Sequence, residues 1–482
     1  MTDVCWARAT GMGSSRAPKM TRLRTTFPLF LGLVLKLKMG SVGKFTSGYG
    51  DKRNDWGLGV LALYRTLTAL GAPLTRWHLR RRAAKGKEDA ERLAERFGEA
   101  GLARPEGKLV WLHAASVGEA TSVLPLVERL QKCRATTILV TSSTVTSAEM
   151  LARQLPAGVI HQFVPVDIPA AVSAFLNHWR SDFAIWVESE LWPNLVTATA
   201  ARGTPMVLIQ ARLSDASLRR WRRAPGLIRR VLSCFKLVLA QTEANAERFR
   251  ALGARSVATT STLKYASPPL AAEHHELKVL QRQIGGRPLW VAASTHAGAE
   301  ETAVLDAHMA LAEHLPTVLT IIVPRHPQRG DEMASTIAAR GYSVARRSAA
   351  DLIEAHHQIY LADTLGELGL FYRIAPVAFV GGTLSAAGGH NIIEPIQLGT
   401  AVVCGPDLAN FTEVAEDLTK AGALRTVADG HQLAGTVGLL LQDSERRTEL
   451  VQRQKGVTDS RAEVLEDVMT ALGPYLPVHS EG

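Results

Sequence analysis

The stretch Leu109-Val110-Trp111-Leu112-His113-Ala114-Ala115-Ser116-Val117-Gly118-Glu119 decides the fold. It opens with a short apolar run of strand length. Small and polar residues follow, and Ala120–Lys132 then has helical length and amphipathic character. A brief unbroken apolar run, rather than an alternating one, reads as a strand buried on both faces, which is the habit of parallel sheets. Ser116 and Glu119 stand at capping-box spacing, so a helix is predicted to start at this turn.

The same unit recurs along the chain. Thr137–Thr141, Val159–Val164, Phe183–Val187, Met206–Ile209 and Leu237–Ala240 are further runs of this kind, separated by stretches such as Val145–Gln154. A second series follows Pro268, Pro269 and the charged stretch Glu273–Arg287. It comprises Leu289–Ala293, Thr320–Val323, Gln358–Leu361, Val377–Val380 and Ala401–Cys404. The expected architecture is α/β, with two doubly wound, Rossmann-like domains at 109–268 and 287–475 joined near residues 266–286. In such sheets ligands bind beyond the carboxyl ends of the strands. Polar groups crowd those ends at 113–119, 188–194, 210–214, 294–301, 324–329 and 381–394. Six such turns in two domains predict an interdomain cleft that holds a polar substrate.

Charge is placed unevenly. The 482 residues carry a formal net charge of +10, yet residues 1–108 hold 21 Lys and Arg against 9 Asp and Glu, while the rest hold 34 against 36. A nucleic-acid enzyme carries its positive charge around its main cleft; here the body is slightly acidic, so no nucleic-acid partner is expected. The basic excess points to an anionic lipid surface. Phe27–Leu35 is too short to span a bilayer, which needs about 20 residues. Gly57–Leu74 is borderline and is followed by Arg76, Arg80, Arg81, Arg82, Lys85 and Lys87. Residues 57–108 are therefore expected to form a membrane-associating basic helical region, the alternative being a core helix with a solvated basic end. Residues 1–56 are expected to be a disordered basic extension. Cys5, Cys133, Cys234 and Cys404 show neither disulfide nor metal spacing, which favours a reducing compartment.

The strand-end turns carry the candidate chemistry. Glu119 is either a helix cap or a general base facing the cleft. Glu188 and Glu190, in Glu188-Ser189-Glu190-Leu191-Trp192-Pro193-Asn194, place two carboxylates beside apolar residues, where they require donors, substrate hydroxyls or water. Arg325, in Pro324-Arg325-His326-Pro327-Gln328-Arg329, offers a planar fork to phosphate or carboxylate. Residues 381–395, Gly-Gly-Thr-Leu-Ser-Ala-Ala-Gly-Gly-His-Asn-Ile-Ile-Glu-Pro, suggest a nucleotide or sugar-phosphate site, with glycines allowing close approach and Glu394 placed to meet a ribose diol. The arginines between Arg219 and Arg230 are either a solvated face or a contact for an acidic acceptor. No metal motif is present.

Together these turns resemble the Kdo transferases, which add 3-deoxy-D-manno-oct-2-ulosonic acid (Kdo) to lipid A precursors. HAASVGE (113–119), ESELWPN (188–194), QARLS (210–214), STHAGAEE (294–301), PRHPQR (324–329), DTLGEL (363–368) and GGTLSAAGGHNIIEP (381–395) occur in the family's order, and the likeness covers roughly residues 57–475. The resemblance implies a GT-B fold, an acceptor-binding first domain, a CMP-Kdo-binding second domain and a place on the cytoplasmic face of the inner membrane. It implies inverting transfer to lipid IVA with Glu119 as base, Lys264 and Glu188 or Glu190 as stabilising groups, and no cofactor or metal. Glu188 is preferred of the two. It assigns CMP to Pro324, Arg325, the Leu365-Gly366-Glu367 segment and Asn391-Ile392-Ile393-Glu394. The chain departs from the family at Ser261-Thr262 before Leu263-Lys264, at Gln210 and at Ala299. UDP-sugar transferases and epimerases share the sheet pattern without combining HAASVGE and PRHPQR.

Overall fold

A computed structural model describes residues 52–133 and 136–477. The expected extension at 1–56 lies largely outside these residues, as do Phe27–Leu35 and Cys5.

The first sheet has seven strands: β1 (Leu109–His113), β2 (Thr137–Ser142), β3 (Ile160–Phe163), β4 (Phe183–Val187), β5 (Met206–Ala211), β6 (Leu237–Ala240) and β7 (Val257–Thr259). Their spatial order is β3-β2-β1-β4-β5-β6-β7. The second has six: β8 (Leu289–Thr295), β9 (Leu319–Pro324), β10 (Val344–Arg346), β11 (Ile359–Leu361), β12 (Val377–Val380) and β13 (Ala401–Cys404), in the order β10-β11-β9-β8-β12-β13. Every strand pairing in both sheets is parallel. All residues of β1 and β4 are buried, because helices cover both sheet faces. The order reverses between β1 and β4 in one sheet and between β8 and β12 in the other. At such switch points the connections diverge to opposite faces and leave a crevice.

The N-terminal region is part of this packing. Gly57–Leu74 is interrupted at Gly71, between helices Lys52–Leu70 and Ala72–Ala83. The first helix buries Leu61, Tyr64 and Thr68 against the first domain. Tyr64 donates to Asp167 Oδ2 at 2.9 Å, and Asn194 Nδ2 donates to Thr68 Oγ1 at 3.0 Å. Among the described residues no helix is long and apolar enough to cross a membrane.

The charged stretch at 273–287 contains a helix, His274–Ile284. The chain also crosses back at its end. Val464, Val468 and Leu472 of helix Val464–Leu472 join the core cluster that holds Val110, Leu112 and Val123. Tyr475 stacks on Phe183 with ring centroids 6.4 Å apart, and Arg129 pairs with Glu466 at 3.0 Å. By packing, the C-terminal helix thus belongs to the first sheet.

Candidate active site

Glu119 sits at the first switch point. It is the third residue of helix Val117–Cys133, and Ser116 precedes that helix. Its Oε1 accepts from Ser116 Oγ at 2.9 Å and its Oε2 from the Ala115 amide at 2.8 Å. Cap and cleft residue are therefore one group. Burial, and then the charges of Glu188 and Glu190, push its carboxyl well above the usual range; the Ala115 and Ser116 hydrogen bonds oppose this only in part.

Glu188 follows β4 with φ +60°, a left-handed conformation that costs a non-glycine residue roughly 1–3 kcal/mol. Gln210 at φ +52° and Ser294 at φ +58° share it, and both lie where strand register slips, in β5 and β8. Three strained residues thus stand at strand ends that face the cleft. Gln210 spends its strain on positioning. Its Nε2 donates to Ser261 O at 3.1 Å and its Oε1 accepts from Leu263 N at 2.9 Å, fixing the segment before Lys264. Sequence reasoning noticed Gln210 only as a departure from a pattern.

Lys264 Nζ donates to Asn410 O at 2.5 Å and lies 4.3 Å from the Phe411 ring centroid, so it bridges the two domains. Burial lowers its ammonium pKa, while Glu188 opposes the shift and Arg212 adds to it. Glu190 accepts from the Trp192 indole at 2.8 Å. Glu188 is the carboxylate whose charge reaches both Glu119 and Lys264. A cavity of about 700 Å³ opens between the domains beside Lys264, lined also by Arg212, Asn410, Phe411 and Glu413.

The second domain contributes Asn410, Phe411 and Glu413 to this cavity, while its predicted nucleotide residues lie outside the lining. Arg325 follows β9, and its amide donates to Thr295 O at 2.9 Å. Its exposed side chain makes no hydrogen bond or ion pair among the described residues. Arg329, by contrast, is held by Glu301 at 2.6 Å and by Glu332 at 2.9 Å. Of the two arginines in this turn, Arg325 is the one left for a ligand.

Asn391 Nδ2 donates to Glu394 Oε1 at 2.9 Å, and Asn391 Oδ1 accepts from Ile393 N at 3.0 Å. Burial pushes the Glu394 carboxyl up to about 7, with Asn391 pulling the other way. Ile392 and Ile393 put their side chains into the core, so only their backbone is available to a nucleotide. Leu365 is 74% exposed and Gly366 has φ +85°. The Glu367 carboxylate is instead taken by Arg347 at 2.6 Å.

The glycine turn differs from expectation. Glu300, 1% exposed, accepts from the amides of His296 and Gly382 at 2.8 Å each, of Leu384 at 3.1 Å and of Thr383 at 3.2 Å. A protein carboxylate thus occupies the amide cradle predicted for a phosphate. A Cβ on Gly381 would come within 2.4 Å of Ser294 O, and one on Gly382 within 2.9 Å of the His390 ring. The glycines therefore serve strand-end packing. Glu300 carries no sequence signal of this role beyond lying one turn past β8. Among the described residues no group of three or more His, Cys, Asp or Glu side chains is placed to hold a metal ion.

Comparison with known proteins decides the family. Residues 91–267 match the family described as 3-Deoxy-D-manno-octulosonic-acid transferase (kdotransferase). The 3-deoxy-D-manno-octulosonic acid transferase of Bordetella pertussis is 34% identical over 433 residues, covering 87% of this chain and all of that one. The Haemophilus influenzae enzyme of the same name is 33% identical over 86% of this chain and 98% of its own. The chain belongs to the Kdo transferase family. Like its relatives, this Kdo transferase is an enzyme and a glycosyltransferase. Its fold extends beyond the family: the UDP-GlcNAc 2-epimerase of Neisseria meningitidis superposes with a TM-score of 0.52 at 14% identity, over 76% of this chain and all of that one. That likeness shows a shared GT-B-like fold and nothing about the sugar.

Proposed function

We propose that this Kdo transferase moves Kdo from CMP-Kdo to a hydroxyl of lipid IVA with inversion at the anomeric carbon. Glu119 takes the proton of the attacking hydroxyl as the new carbon–oxygen bond forms. The bond to phosphate breaks, and its electron pair leaves with CMP. Glu188 and Lys264 flank the reacting centre, where the ammonium offsets the donor's negative charge. Arg325 and the backbone of 365–367 and 391–394 hold CMP, with Glu394 turned to the ribose. No metal or cofactor takes part in this reading. The observation that carries it is the Glu119 carboxyl, buried at a switch point with its pKa raised by burial and by the neighbouring Glu188 and Glu190 charges.

The reading extends to location. Leu70, Leu74 and Trp77 are 73%, 64% and 55% exposed, and Arg76, Arg80 and Arg81 are exposed around them. An apolar patch ringed by arginine suits the headgroup zone of an anionic bilayer, here the cytoplasmic face of the inner membrane, where the lipid acceptor would be met.

Purified protein with CMP-Kdo and lipid IVA tests the base. Glu119→Gln keeps the shape and removes the basic site, and should lower kcat by roughly 10²- to 10⁴-fold. Unchanged turnover by the folded variant would remove Glu119 from this role.

A further inference from the structure

At the second switch point two imidazoles meet. His296, after β8, and His390, in the turn after β12, bring their Nε2 atoms to 2.8 Å. Their planes lie within 9° of each other and their centroids are 5.1 Å apart, so the rings meet edge to edge, nitrogen to nitrogen. His326 lies across the His296 ring, centroids 6.3 Å apart, on the turn that carries Arg325. The rings are held from behind. Glu300 binds the His296 amide and the Gly382 amide, and Gly382 leaves room for the His390 ring.

Both rings are poor bases here. Burial and the nearby Arg325 guanidinium push His390 down to about 4 and lower His296, while Glu300 opposes the shift on His296 only. Near neutral pH they are uncharged, so one ring's N–H donates to the other across the short contact. Two neutral imidazoles carry two N–H groups and one is spent on this contact, so the pair offers one further N–H near the unpaired Arg325 guanidinium. The glycine-turn amides cannot serve an incoming phosphate, because Glu300 already holds them.

We propose that the His296–His390 pair, together with Arg325, binds the phosphate of the donor nucleotide through the imidazole N–H that the pair leaves free and stabilises the charge that gathers on it as the sugar departs. This rests on the reading of the chain as a transferase with a CMP-linked donor. As the carbon–oxygen bond breaks, the phosphate gains negative charge. Donors already fixed in place strengthen with that charge and need no proton transfer.

The test uses calorimetric titration of the full chain with CMP, cytidine and UMP. His296→Phe and His390→Phe keep a planar ring and remove its nitrogens. Each should weaken CMP binding by roughly 10- to 100-fold, the usual loss for a hydrogen bond to a charged group. Cytidine, which lacks the phosphate, should bind each variant as it binds the wild type, which also shows that the site is folded. His390→Gln, which retains an N–H, should recover most of the loss. CMP binding at wild-type strength by both Phe variants would overturn the proposal. So would an equal loss for cytidine and CMP, which marks a merely structural role. Failure of the underlying reading looks different: the wild type would then bind UMP as tightly as CMP.

Discussion

Glu300 and Glu394 show how differently two buried carboxylates behave within one site. Glu300 accepts four backbone amides and so locks two strand-end turns together. In Glu300→Gln one oxygen still accepts, but the new NH2 faces two backbone N–H donors and leaves them unpaired. Buried N–H groups left unpaired cost roughly 1–3 kcal/mol each, so thermal unfolding should show a loss of at least about 2 kcal/mol. Glu394 accepts from Asn391, and burial raises its pKa to about 7. Below that value the carboxyl is protonated and accepts poorly; above it the carboxylate can accept from both ribose hydroxyls. Cytidine affinity should therefore rise between pH 6 and pH 8, and Glu394→Gln should flatten the profile in a titration series. At this scale the sequence told residue types more clearly than duties. Glu119 was legible as a cap, and its contacts with Ser116 and Ala115 are those of a cap; its duty as a base is the reading proposed above. The Glu300 clamp was not legible, because its four donors come from turns far apart in the chain.

Elements were more readable. Five strands, β1, β4, β6, β12 and β13, have the bounds that the apolar runs suggest. Two strands escaped, β7 (Val257–Thr259) and β10 (Val344–Arg346), each at a sheet edge. With a neighbour on one side only, a three-residue strand needs no apolar run. The register slips at Gln210 and Ser294 were also hidden, since non-glycine residues rarely announce a left-handed backbone. The basic N-terminal helices gave a correct sense of composition and an incomplete sense of place. Leu61 and Tyr64 bind helix Lys52–Leu70 to the first domain, so truncating it would damage the fold. The proposed membrane contact is better tested on the exposed side of the next helix. Leu74→Ser with Trp77→Ser should reduce sedimentation with anionic vesicles by at least about tenfold. Undiminished binding would move the contact elsewhere, with the Arg219–Arg230 surface next in line.

At the scale of the molecule, two parallel sheets each carry polar residues at a switch point, and a cavity opens between the domains beside Lys264. Glu119 and Glu188 follow β1 and β4, while His296 and the glycine turn follow β8 and β12. The alternating pattern foretold the two sheets, and the ordered turns foretold the family. The return of helix Val464–Leu472 to the first domain was not foretold, because an amphipathic helix does not say which distant surface it covers. The central claim is transfer of Kdo from a CMP-linked donor to a lipid A precursor. Mass spectrometry of lipid IVA incubated with CMP-Kdo and this protein tests it most directly. The account predicts lipid IVA heavier by one or more Kdo residues, with CMP released in equal number and far less product from Glu119→Gln. Unmodified lipid IVA in the presence of folded, CMP-binding protein would contradict it.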